Sequence, residues 1–342
     1  MSGAFAAFRR GAARLPAKPY RTGSLGIASA DFEAACAAAL AVSALDDVAA
    51  RSFFERWFAP FRIRPDDRAL GFVTGFYEPE ADASPVRTVR YRFPILSRPD
   101  DLVDVDEANR PAGLDPYLAF GRSTDDGIFE YFDRGAIERG ALADRGLEIA
   151  WLEDPVDVFF IHVQGAARLR MPDGLRRITY AAKSGQRFTG PGHLLAGMGE
   201  IPREQVTMQS IRAWFRAHPD RVSEILWQNR SFIFFRDAPV EDEALGPVAA
   251  AKVPLSPGRS LAVDRLLHTF GTPVFVHAPG LAAFGTAPFA RLMIAQDTGS
   301  AIVGSARGDL FAGSGGAAGE IAGVIKHDAD FYALVPRAGR DR

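Results

Sequence analysis

Cysteine is almost absent. Cys36 is the only one in 342 residues, which excludes an intramolecular disulfide and any multi-cysteine metal site. It lies in the Ala-rich helical stretch FEAACAAAL, where a small buried apolar residue is the expected role. A lipid-anchoring cysteine follows an apolar export segment, but Asp31 and Glu33 stand before this one. No run of about 18 apolar residues occurs, so no membrane-crossing helix is expected. There is also no excess of one charge: 40 Lys and Arg against 42 Asp and Glu leave a net charge of -2. Nucleic acid is therefore not an expected partner, because a phosphate backbone calls for a surplus of cations on one face. The six histidines lack metal-ligand spacing, so neither a metal nor a cofactor is expected. The N-terminus MSGAFAAFRRGAARLP breaks its apolar patch with Arg9 and Arg10 and shows no small-residue cleavage site. If the protein works outside the cytoplasm, its export signal is expected to be missing from this sequence.

What is present reads as a globular chain, 47% hydrophobic and 24% charged, long enough for one large or two ordinary domains. SALDDVAARSFFERWFAPF has Leu45, Ala49, Phe53 and Trp57 at four-residue spacing, which predicts a helix with Ser43 as its cap. GFVTGFYEPE from Gly71 switches to a strand period. VDVFFIHVQGAARLRMPDGLRRITYAAK reads as two apolar strands around a tight Pro172-Asp173-Gly174 turn. Helices are predicted in REQVTMQSIRAWFRAHPDR, RVSEILWQN and GGAAGEIAGVI. After Asn229 the short runs SFIFFR, SLAVDR, PVFVHA, RLMIAQD and FYALVP suit a small barrel. The early strand from Gly71 has no β neighbours nearby in sequence and is expected to join them, which makes the middle of the chain an inserted domain.

Asp297-Thr298-Gly299 is the tripeptide of an aspartic protease loop. That chemistry needs two such aspartates sharing a proton, and this chain has one copy in a length that a half-enzyme does not explain. What remains is a trio: Asp264 ends SLAV, Asp297 ends RLMIAQ, and Asp309 follows in RGDLF. Singly, each could serve only to bond turn amides. Together, at the ends of successive apolar strands, they could converge at one barrel rim.

This pattern resembles the three-aspartate (3D) domain and, more fully, the membrane-bound lytic murein transglycosylase A family. The matching stretches are TGFYEPE (74–80), FFIHVQG (159–165), MQSIRAWFRAHPD (208–220), NRSFIFFR (229–236), VPLSPGRSLAVDR (253–265) and AQDTGSAIVGSARGDLFAGSG (295–315), in family order. The resemblance implies a mainly β fold with peripheral helices. A double-psi β-barrel domain, 1–91 with 231–342, would carry an inserted β domain over 92–230, with a glycan groove between them. It implies cleavage of the MurNAc–GlcNAc β-1,4 linkage of peptidoglycan without water, leaving a 1,6-anhydromuramic end. Asp309 matches the catalytic aspartate, and Asp264 and Asp297 the two that support it. Peptidoglycan glycan strands are the implied partner, with room for partners in a cell-wall synthesis complex, and the implied location is the periplasm or outer membrane. Departures are Gly165-Ala166-Ala167, where a more polar turn is usual, and Ser300, where a Gly is.

One carboxyl group can serve this reaction because the nucleophile, the primary hydroxyl of the same sugar, is already tethered. Asp309 must first be protonated, and burial together with the charges of Asp297 and Asp264 is expected to raise its pKa. Phe76 and Tyr77 are candidates to stack on sugar rings or to fill the core. Gln164 is a candidate for acetamido groups, and Lys183 and Arg307 for substrate carboxylates. Glu78 is a second carboxylate that the reaction does not need. A non-catalytic, expansin-like glycan-binding barrel is the alternative reading.

Overall fold

The strand expected at GFVTGFYE forms over Gly71–Glu78 and pairs antiparallel with Lys326–Pro336 near the far end of the chain. The computed structural model describes residues 1–16, 19–65, 69–240, 242–285 and 288–337. They form two units, Met1–Tyr77 with Glu241–Arg342, and Glu78–Val240.

In the first unit, seven strands pair in the order Phe58–Ile63, Lys326–Pro336, Pro273–Ala278, Phe289–Asp297, Ser260–Val263, Arg307–Ser314 and Gly71–Glu78. Because Gly71–Glu78 also bonds back to Lys326–Pro336, six of these strands complete a closed cycle of pairings. Closure leaves no long unpaired edge among the six. The cycle encloses an apolar cluster that includes Val73, Leu261, Val263, Val274, Met293, Leu310 and Phe331. A second cluster joins Leu292, Ile294, Ala333 and Leu334 to helices Ser2–Ala12, Glu33–Leu40 and Asp47–Trp57. Phe8 anchors it, edge-on to Phe54 and Phe58 at centroid distances of 5.9 and 5.7 Å. The cap of Asp47–Trp57 is Asp46, whose carboxylate accepts from the Ala49 amide at 2.8 Å. Ser43 lies too far upstream for the role given to it.

The second unit is built on a sheet of Ile233–Ala238, Gly174–Lys183, Ala166–Met171 and Glu80–Asp82. The predicted hairpin turns at Pro172-Asp173, between Met171 and Gly174. The stretch before it is not a strand: Pro155–Gln164 is a helix. Asp154 caps it, Pro155 opens it, and Gly165, at φ 74°, ends it in the left-handed region that glycine enters freely. Segments 78–91 and 231–240, read from sequence as part of the first domain, lie in this unit, because their strands pair with the hairpin.

Glu78 is fully enclosed in the second unit. Its carboxylate accepts from Arg177 Nε at 2.6 Å and from Arg168 Nε at 2.9 Å. Both of its oxygens are occupied by guanidinium groups, which makes it the centre of a buried ion cluster.

Candidate active site

Period-two alternation decides which way each residue of Arg307–Ser314 points. Leu310 is buried in the enclosed cluster, and Gly308 lies on the same side, where a Cβ would come within 2.8 Å of Leu261. Arg307, Asp309 and Phe311 therefore share the opposite face. On Gly71–Glu78 the burial of Val73 in that cluster turns Phe72, Thr74 and Phe76 the other way.

These two faces meet pair by pair. The Arg307 guanidinium lies 5.6 Å from the Phe72 ring centroid, Thr74 Oγ1 is 2.6 Å from Asp309 Oδ1, and the Phe76 and Phe311 rings are 5.2 Å apart. Arg307 Nη2 donates to Thr74 Oγ1 at 2.7 Å, and its Nη1 donates to the Gly308 carbonyl. A hydroxyl has one proton. Since Thr74 accepts from Arg307, it directs that proton at Asp309 Oδ1, which leaves Oδ2 as the oxygen open to a proton of the carboxyl's own. Burial pushes the Asp309 carboxyl above its ordinary range, while the Thr74 hydrogen bond and the Arg307 cation hold it back.

Asp297 closes the strand Phe289–Asp297, and its Oδ1 accepts from the Ala250 amide at 3.2 Å. Ser260–Val263 lies between the two aspartate-bearing strands, and Ala262 is in register with both Asp297 and Asp309. Burial raises the Asp297 carboxyl to about 6, with the negative charge of Asp309 adding to the rise.

Asp264 behaves differently. It is 8% exposed, its Oδ1 accepts from the Leu266 amide at 2.9 Å and its Oδ2 from the Gly304 amide at 3.0 Å. Both oxygens are engaged in holding backbone. Of the three expected causes of the rise at Asp309, burial leads, and the charges of Asp264 and Asp297 are not among those that act on it.

Phe76 is half-buried against Phe311, and Tyr77 is buried with its ring against helix Gly315–Gly323, where a Cβ on Gly319 would come within 2.9 Å. The packing of Tyr77 is that of a core residue, with no open ring face for a sugar. Gln164 and Lys183 lie in the second unit. Gln164 is the last residue of its helix, and Lys183 sits 6.0 Å from the Tyr117 ring, its ammonium pKa lowered by burial. Thr74 was not singled out from the sequence, although it heads TGFYEPE. Its role depends on two strands that meet only in the fold.

Comparison with known proteins covers both units. Residues 72–236 match the MltA specific insert domain, and residues 259–335 match the 3D domain. A crystal structure of a membrane-bound lytic murein transglycosylase from Agrobacterium tumefaciens is 53% identical. It superposes with a TM-score of 0.91 over 97% of this chain and 92% of that one. The membrane-bound lytic murein transglycosylase A of Vibrio cholerae is 36% identical over 57% of this chain, and that of Escherichia coli is 31% identical over 78%. The matched stretches span 53% and 66% of those two relatives' own lengths. The Escherichia coli protein has been solved with bound chitohexaose, and that structure is 28% identical with a TM-score of 0.68, covering 91% of this chain and 84% of its own.

Proposed function

The chain belongs to the membrane-bound lytic murein transglycosylase A family, and we propose that it cleaves the MurNAc–GlcNAc β-1,4 linkage of peptidoglycan without water, leaving 1,6-anhydromuramic ends. The single observation that carries this reading is the setting of Asp309: a half-buried carboxyl bonded on one oxygen by Thr74 at 2.6 Å, and pushed above its ordinary range by the desolvation it suffers there. In the proposed reaction Asp309 Oδ2 gives its proton to the glycosidic oxygen as the bond breaks. The same carboxylate then takes the proton of the muramic C6 hydroxyl as that oxygen closes on C1. Tethering of the hydroxyl to the reacting sugar replaces the second carboxylate that an ordinary glycosidase uses. Asp297, protonated up to about pH 6, keeps a second negative charge away from Asp309 over the acidic range.

We read the closed cycle of six strands, with its parallel pair Ser260–Val263 and Phe289–Asp297, as a double-psi β-barrel. Glycan strands are the proposed substrate, in keeping with the chitohexaose bound by the Escherichia coli relative. Arg307, Lys183 and Gln164 are proposed contacts to its carboxylate and acetamido groups. The family's membrane-bound members support a place in the periplasm or at the outer membrane. Among the described residues no helix is long and apolar enough to cross a membrane.

The test is digestion of purified sacculi followed by mass analysis of the released muropeptides. Anhydro ends from the wild type and none from Asp309→Asn are the expected outcome. Reducing ends would mean hydrolysis, and binding without release would mean a non-catalytic glycan-binding protein.

A further inference from the structure

We infer that His268 is a positioning residue for Asp309, acting through the loop that joins the two aspartate-bearing strands. The inference rests on the reading of Asp309 as the proton donor, and it names a residue outside the three aspartates.

His268 is 4% exposed, and its Nε2 lies 2.7 Å from the Ser305 carbonyl oxygen. A ring nitrogen that faces a carbonyl must carry hydrogen, so the contact fixes the tautomer with the proton on Nε2. The neighbouring residue of the loop is held from the same turn, since Asp264 Oδ2 accepts from the Gly304 amide at 3.0 Å. Gly304 has φ 118°, a conformation that a side chain would strain, so the loop enters this clamp only through glycine. One residue further on, the Ala306 carbonyl accepts from the Phe72 amide at 2.9 Å. Gly304, Ser305 and Ala306 are thus tied by one hydrogen bond each, and the next residue is Arg307.

The turn that carries the clamp is itself braced. The amides of Leu267 and His268 donate to the Asp264 carbonyl at 3.0 and 2.8 Å. Ser24 and Leu25 donate to the carbonyls of Leu266 and Leu267 at 2.9 and 3.0 Å, and Thr269 Oγ1 donates to the Ile27 carbonyl at 2.6 Å. The physical chain therefore runs from the 23–27 strap, through the Asp264–His268 turn, to Arg307 and its bond to Thr74. When the Ser305 bond is lost, Arg307 is less firmly held. Thr74 is then free to turn its proton away from Asp309 Oδ1, and the carboxylate loses a nearby cation.

Three variants read this out. His268→Phe removes the donor, His268→Gln restores one at similar reach, and His268→Asn is too short to reach Ser305 and replaces the Phe variant should that one not fold. The first readout is the titration of the Asp309 carboxyl by carbon-13 NMR; burial raises it, the Thr74 hydrogen bond and the Arg307 cation lower it, and Asp297 is the other carboxyl close enough to titrate alongside it. The donor-less variant is expected to titrate at higher pH than wild type, and the Gln variant close to wild type. The second readout is turnover on glycan strands. The expectation is a fall in kcat of about tenfold with KM unchanged, reversed in the Gln variant. An unshifted titration in a folded donor-less variant overturns the inference, as does a Gln variant as impaired as the Phe one. A shifted titration in a chain whose wild type releases no anhydro ends would leave the positioning role standing and remove the proposed reaction instead.

Discussion

Asp297 and Asp309 are both in register with Ala262, one from each neighbouring strand, and the charge of Asp309 helps raise the Asp297 carboxyl to about 6. A folded-state pKa above the ordinary 3.8 means that the native protein holds the Asp297 proton more tightly than the unfolded chain. The associated stability is complete below about pH 4 and is lost as pH rises through about 6, amounting to up to ~3 kcal/mol. Urea unfolding measured from pH 4 to 7 should show this decline in the wild type. Asp297→Asn keeps an oxygen for the Ala250 amide and should lose that part of the slope. An identical slope in the variant would mean that Asp297 ionises in the fold as freely as in the unfolded chain.

Thr74 is predicted to act on chemistry rather than on binding. Thr74→Val keeps the branched shape on the strand but removes both the acceptor for Arg307 and the donor to Asp309 Oδ1. Turnover should fall about tenfold or more with KM close to wild type, since the proton of Asp309 is no longer restricted to one oxygen. Thr74→Ser should retain most of the rate. Equal losses in the two variants would point to packing instead of the hydroxyl.

Arg307 holds the pKa of Asp309 down, so removing its charge should move the basic limb of the kcat profile to higher pH. Arg307→Met is expected to show that shift. Arg307→Lys keeps a charge but loses the fork that reaches both Thr74 and the Gly308 carbonyl. Its limb should stay near the wild-type position while kcat drops. A Met variant with an unmoved limb would separate Arg307 from the ionisation of Asp309.

How much of this was legible in the sequence depended on distance along the chain. Asp297 and Asp309 could be found because each sits at the end of an apolar strand beside a glycine-rich turn, all within one short stretch. Thr74 and His268 could not, because each acts through a segment distant in sequence, and a lone Thr in a strand carries no local mark. Helix Pro155–Gln164 was misread for a packing reason. Val156, Phe159 and Phe160 enter one apolar cluster while Val158 and Ile161 enter another, so the helix is apolar on two faces and its amphipathic period is blurred. Its readable signals were the Asp154-Pro155 start and the Gly165 stop. The domain boundary was misplaced because Glu80–Asp82 is three residues long, too short to announce its pairing with Ala166–Met171.

Glu78 provides the counterpart to Asp309: a buried carboxylate whose oxygens are taken by Arg168 and Arg177. Glu78→Gln leaves two buried guanidinium groups facing a neutral amide, and removing one partner of such a centre costs about 3–5 kcal/mol. The variant should unfold at a markedly lower urea concentration. Its turnover per folded molecule, measured where the native state still dominates, should match wild type, because Glu78 has no oxygen left over for substrate. Loss of turnover at unchanged stability would place Glu78 in the chemistry and reopen the assignment of a single reacting carboxylate. Replacing Glu78 together with both arginines by Leu and Met of similar volume should recover much of the lost stability, since the cost lies in the unmatched charges and not in the space they fill.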